Sequence, residues 1–141
     1  MNILFFLTPK ASCTCVYDDY SVRQAMERIE KTSYTSLPII SRDGKYCGTL
    51  TEGDLLWALK DRCGMDMKAA EACNIMKIVH RCDNAPVSVT TDIEDLMHKA
   101  TDQNFVPVID DKQDFIGLVA RKAIVQYCID HYMTDMKIVS A

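Results

Sequence analysis

The chain has 141 residues, 48% of them hydrophobic and 26% charged, and a formal net charge of −4. That is the size of one compact domain or of two small subdomains sharing a core. The charge balance excludes nonspecific binding to nucleic acid over a broad surface. No apolar stretch approaches the ~20 residues that cross a bilayer.

The chain opens on a short apolar run, Ile3 to Leu7, without a basic flank. It is too short for the core of a secretory signal, so we expect a cytoplasmic protein. Cys13 and Cys15 follow, at a spacing that puts both on one face of a strand. They belong to a set of seven cysteines with no Cys-x-x-Cys pair, so we expect reduced thiols packed as small hydrophobes and no metal site.

Val22, Ala25, Met26 and Ile29 recur at i, i+3, i+4 and i+7, the apolar stripe of an amphipathic helix, with Ser21 at its N-cap. Leu37-Pro38-Ile39-Ile40 and Tyr46-Cys47-Gly48-Thr49-Leu50 then read as two strands around the Asp43-Gly44 turn. A second helix is expected over roughly Glu52 to Arg62. The segment Cys63 to Asn74 connects onward, with a helix-compatible stretch from Lys68 to Ala72.

The pattern then recurs. Ile93, Leu96, Met97 and Ala100 make the same helical stripe, with Asp92 at the N-cap position. Val106-Pro107-Val108-Ile109 and Phe115-Ile116-Gly117-Leu118-Val119 repeat the strand pair at an offset of 69, with proline and glycine again ten residues apart. A closing helix is expected from about Arg121 to Tyr132. The helix offset is 71, so the first copy has two more residues between helix and strand. Each copy reads strand, helix, strand, strand, helix. A unit this small cannot bury its sheet alone, so the copies should pack together about a pseudo-twofold axis. The expected fold is α+β, with two repeats packed sheet to sheet: residues 1–62, a linker 63–74, and residues 75–141.

The duplicated set resembles the CBS domain pair, or Bateman module. It is carried by Leu37-Pro38-Ile39-Ile40 and Gly48 to Leu55, with Val106-Pro107-Val108-Ile109 and Gly117 to Ile124. The opening, Leu4 to Lys10, looks like that of small stand-alone bacterial CBS-pair proteins, which implies no attached catalytic domain. The resemblance implies a non-catalytic regulatory module binding an adenosine nucleotide as ligand, with no required cofactor. In the family a Thr/Ser and an Asp after the hairpin hold phosphate and the ribose diol, and these map to Thr51 and Asp54. The Thr51-x-x-Asp54 spacing also fits a variant capping box. The remaining expected members of that first cleft are Val79, His80, Arg81, Asn84, Gln103 and Asn104.

In the second copy Ala120 and Ala123 replace the pair. A methyl group accepts no ribose bond, so a weaker second cleft is expected, from Thr8, Lys10, Cys13, Tyr34 and Thr35 with Arg121 and Lys122. The principal nucleotide cleft is therefore expected at Thr51 and Asp54. The competing expectation is a ligand-free interaction module. Either form is expected to pair as a homodimer through its helices, with Leu56, Leu59, Ile124 and Tyr127 as candidate face residues, and to serve an unidentified target protein. His80, His98 and His131 fall in no catalytic pattern, so no catalytic residue is assigned.

Overall fold

The computed structural model describes residues 2–140, with side chains through Thr134. The first copy contains β1 (Thr8–Pro9), β2 (Val16–Tyr17), α1 (Val22–Glu30), β3 (Ser36–Ile40), β4 (Tyr46–Thr51) and α2 (Glu52–Asp61). A short α3 (Met67–Ala72) leads to β5 (Val87–Ser88), α4 (Ile93–Asp102), β6 (Phe105–Ile109), β7 (Phe115–Ala120) and α5 (Arg121–Ser140). The fold is the expected α+β pair, and the hairpin strands coincide at the offset of 69.

Local chemistry explains most boundaries. Helix α1 begins with a full capping box. The Ser21 side chain accepts from the Gln24 amide at 3.1 Å, and the Ser21 amide donates back to Gln24 at 2.8 Å. Helix α4 begins where expected, but the exposed Asp92 side chain makes no capping bond. Helix α5 runs past Tyr132 to Ser140 because no glycine or proline follows Arg121 to stop it. Cys13 and Cys15 lie between strands rather than on one, because Lys10–Ser12 forms a turn of 3-10 helix instead.

The two halves exchange their leading segments. Ile3 and Phe6, the two ends of the turn Ile3–Phe6, are buried in the second core with Val87, Leu96, Val106, Val119 and Ile124. Phe6 meets the Tyr127 ring edge-on at 5.1 Å. Reciprocally, Ile75 and Ile78, at the start of the second repeat, are buried in the first core with Val16, Val22, Leu37, Leu50 and Leu55. Packing therefore crosses the sequence boundaries at 62 and 75. The sheets pack against each other through Cys15, Ile40 and Phe115, and Tyr46 stacks on Phe115 at 6.2 Å. Lys45 Nζ bonds Asp114 at 2.6 Å and the Phe115 amide donates to Gly44, which joins the two hairpin turns.

The exchange is not symmetric. Strand β1 completes a four-stranded sheet, β1-β7-β6-β5, by pairing antiparallel with β7 at Thr8↔Leu118 and Pro9↔Gly117. Gly117 is required there. A Cβ on it would lie 2.2 Å from the Thr8 carbonyl oxygen. The corresponding segment of the second copy, Val79-His80, adds no strand to β2-β3-β4 among the described residues. A Cβ on Gly48 would have no neighbour closer than 4.0 Å.

Candidate functional site

Each hairpin ends where a helix begins, and each junction faces the leading segment of one copy. At the first junction Thr51 caps α2. Its hydroxyl accepts from the Asp54 amide, and the Asp54 carboxylate accepts from the Thr51 amide, both at 3.0 Å. The capping-box alternative is thus the arrangement present. The other Asp54 oxygen accepts from the Arg81 amide at 3.0 Å, and the residue is 1% exposed. Both carboxylate oxygens are therefore committed to backbone donors. Because the 79–81 segment has no strand partner on β4, its free amide turns to Asp54 instead.

The other residues expected in this cleft are dispersed. Val79 and Arg81 border a cavity of about 120 Å³ beside Asp54, Trp57, Asp61 and Arg62. The Arg81 guanidinium sits over the Trp57 ring, 5.2 Å from its centre, and Lys60 approaches the same ring at 5.4 Å. His80 points away, its Nε2 2.6 Å from the Ile75 carbonyl oxygen. Buried Gln103 serves the backbone, bonding the Ala85 amide at 3.1 Å and the Ala85 carbonyl at 3.2 Å. Asn84 donates to Asn104 at 3.1 Å, and Asn104 donates on to Ser36 at 2.7 Å. The Tyr46 hydroxyl donates to the Asn84 carbonyl at 2.7 Å, and burial pushes its pKa up to about 12. This polar chain crosses between the repeats and ends at the other cleft.

That second junction is open. A pocket of about 270 Å³ lies beside Ala120. One wall is Leu118 and Ala120 of β7 with Phe105 and Asn104; the facing wall is Ser33 to Pro38. Thr8, Ser12, Cys13 and Thr14 close the end. Four expected members, Thr8, Cys13, Tyr34 and Thr35, are brought together. Three are not. Arg121 Nε donates to the Ala100 carbonyl at 2.6 Å, Lys122 is exposed on α5, and Lys10 Nζ lies 3.4 Å from where a Gly44 side chain would begin.

The Cys13 thiol donates to the Thr8 and Pro9 carbonyls at 3.4 Å, and burial raises its pKa. Burial also pushes Cys15 up to about 12, so neither is an activated nucleophile. No group of three or more metal-ligating side chains gathers among the described residues. Sequence reading missed Ser12, Thr14, Ser33, Ser36, Leu37, Pro38, Phe105 and Leu118. The usable signal was the register that puts Leu118 beside Thr8, set by the glycine at 117.

The geometry defines a duplicated α+β module with a smaller cleft of about 120 Å³ at one hairpin-helix junction and a larger one of about 270 Å³ at the other. A CBS domain family model matches residues 8–61 and again 79–130, and the chain belongs to that family. No curated protein sequence matches the chain. Among solved structures it is similar to a CBS domain protein from Streptococcus pneumoniae TIGR4, at 24% identity and TM-score 0.81, covering 91% of this chain and 86% of that one. It is similar to CbpB from Listeria monocytogenes, solved in complex with c-di-AMP, at 17% identity and TM-score 0.81, covering 94% and 97%. It is also similar to CBSX2 in complex with AMP, at 21% identity and TM-score 0.73, covering 93% and 98%. No helix among the described residues is long and apolar enough to cross a membrane.

Proposed function

We propose that this chain is a non-catalytic regulatory module that binds an adenosine nucleotide in the cleft beside Ala120. The observation that carries the reading is the open pocket of about 270 Å³ between the repeats, with an apolar slot and a hydroxyl-rich rim. The ligands of CbpB and CBSX2, c-di-AMP and AMP, support an adenosine compound as its occupant. The site we propose is thus opposite the one expected from Thr51 and Asp54. The reason is the burial of Asp54, which is 1% exposed with a backbone amide on each oxygen and so does not face a ribose diol.

Regulation follows from the walls. The Thr8, Leu118 and Phe105 side of the pocket belongs to one sheet and the Ser33 to Pro38 side to the other repeat. A ligand touching both favours the closed arrangement of the pair by its differential affinity, and a target protein that prefers that arrangement is recruited or released. The test is thermal melting with AMP, ADP, ATP and c-di-AMP. At a hundredfold excess over Kd a bound ligand adds about 2.7 kcal/mol. A melting temperature that none of the four moves removes this reading.

One observation favours a second reading, an interaction module without ligand. Leu56 is 52% exposed, and Val125, Ile129 and Met133 are also exposed along α5. We propose pairing of two copies through these helices. Leu59 and Ile124 take no part, because both are buried in the chain's own cores, and Tyr127 is packed on Phe6. Light scattering that shows a dimer unaffected by nucleotide, together with no binding, selects this second reading.

A further inference from the structure

The cleft beside Ala120 is lined without a charged side chain among the described residues. Its polar groups are hydroxyls, a thiol and the Asn104 amide. Of the cations near it in sequence, Arg121 holds the Ala100 carbonyl, and Lys10, Lys31 and Lys122 are exposed and outside the lining. The anionic member is missing too, because Ala123 stands where the first copy has Asp54. We infer that this cleft recognises the uncharged adenosine portion of its ligand, and that added phosphates contribute nothing to affinity. The inference rests on the cleft assignment proposed above and specifies the ligand class for it.

The physical argument is desolvation. A phosphate carried into a slot walled by Leu37, Pro38, Phe105 and Leu118 gives up its hydration and meets no compensating charge. A phosphorylated ligand therefore keeps its phosphates in water at the mouth, near the exposed Tyr34, which is 60% exposed. There the net charge of −4 offers no long-range attraction to a polyanion. Neutral adenosine and adenine nucleotides then share the same contacts. The hydroxyls of Thr8 and Ser36 and the Asn104 amide can bond base or sugar without favouring any phosphate count.

The experiment is titration calorimetry of the full chain with adenosine, AMP and ATP, each at low and at raised salt. We expect the three affinities to agree within about threefold and to change little with salt, as for an interface without ion pairs. ATP binding about tenfold or more tighter than adenosine, weakening as salt rises, overturns the inference and leaves an adenosine site in place. Absence of binding by all three overturns both the inference and the function it rests on.

Discussion

Substitution of Asp54 separates a carboxylate that builds the fold from one that holds a ribose. Its two oxygens accept from the Thr51 and Arg81 amides, each at 3.0 Å, in a site 1% exposed to water. A hydrogen bond to a charged group contributes about 1.5–3 kcal/mol. Asp54→Ala should therefore cost about 3–5 kcal/mol, since it loses both bonds and half of the capping box. For a domain of this size that is a melting temperature lower by about 10–15 °C. Asp54→Asn keeps one acceptor, sets an amide donor against the other backbone N–H, and should fall about halfway. Both changes can be read by thermal denaturation followed by circular dichroism. In parallel, calorimetry at a temperature where the Asn variant is folded should give an adenosine affinity within about threefold of the unaltered chain. An Asn variant as stable as the unaltered chain, with binding weakened about tenfold or more, would refute the reasoning and make Asp54 the ribose ligand.

Three further outcomes are expected. Gly117→Ala drives a methyl group into the Thr8 carbonyl and should cost about 3 kcal/mol or more, whereas Gly48→Ala meets only ordinary contacts at 4.0 Å and should cost about 1 kcal/mol, from the positive-φ strain that both positions share; urea unfolding of the two side by side measures the difference. Leu118→Trp should fill the pocket and abolish the nucleotide-dependent melting shift while the ligand-free variant keeps the circular dichroism spectrum of the unaltered chain. Tyr46, raised to about 12 by burial, favours the folded state while it is protonated. Its contribution is complete below the ordinary tyrosine value of 10 and is lost as pH climbs from 10 toward 12. Tyr46→Phe should flatten the fall in urea-unfolding stability over that window, and an unchanged slope would assign the alkaline loss to other groups.

Periodic features were legible in the sequence and long-range ones were not. The stripe Val22, Ala25, Met26 and Ile29 and the hairpin around Asp43-Gly44 depend on neighbours a few residues away, and α1, β3 and β4 follow them. The exchange of Ile3–Phe6 with Ile75–Ile78 depends on contacts across the whole chain, and nothing in the local pattern announces it. The cleft assignment turned on the same kind of contact. Thr51-x-x-Asp54 shows that a hydroxyl and a carboxylate share a helix start, but not that the Arg81 amide, 27 positions on, takes the remaining oxygen. Ala120 and Ala123 looked like losses from a polar site. In the fold Ala120, at the end of β7, lines the larger of the two clefts, while Ala123 packs against the second core.

The decisive measurement is a crystal structure of the chain with AMP. The account predicts the base in the slot between Pro38 and Leu118, with the phosphate in solvent and the Asp54–Arg81 bond unbroken. A base beside Trp57, with its ribose on Asp54 and the 79–81 segment displaced, would contradict it.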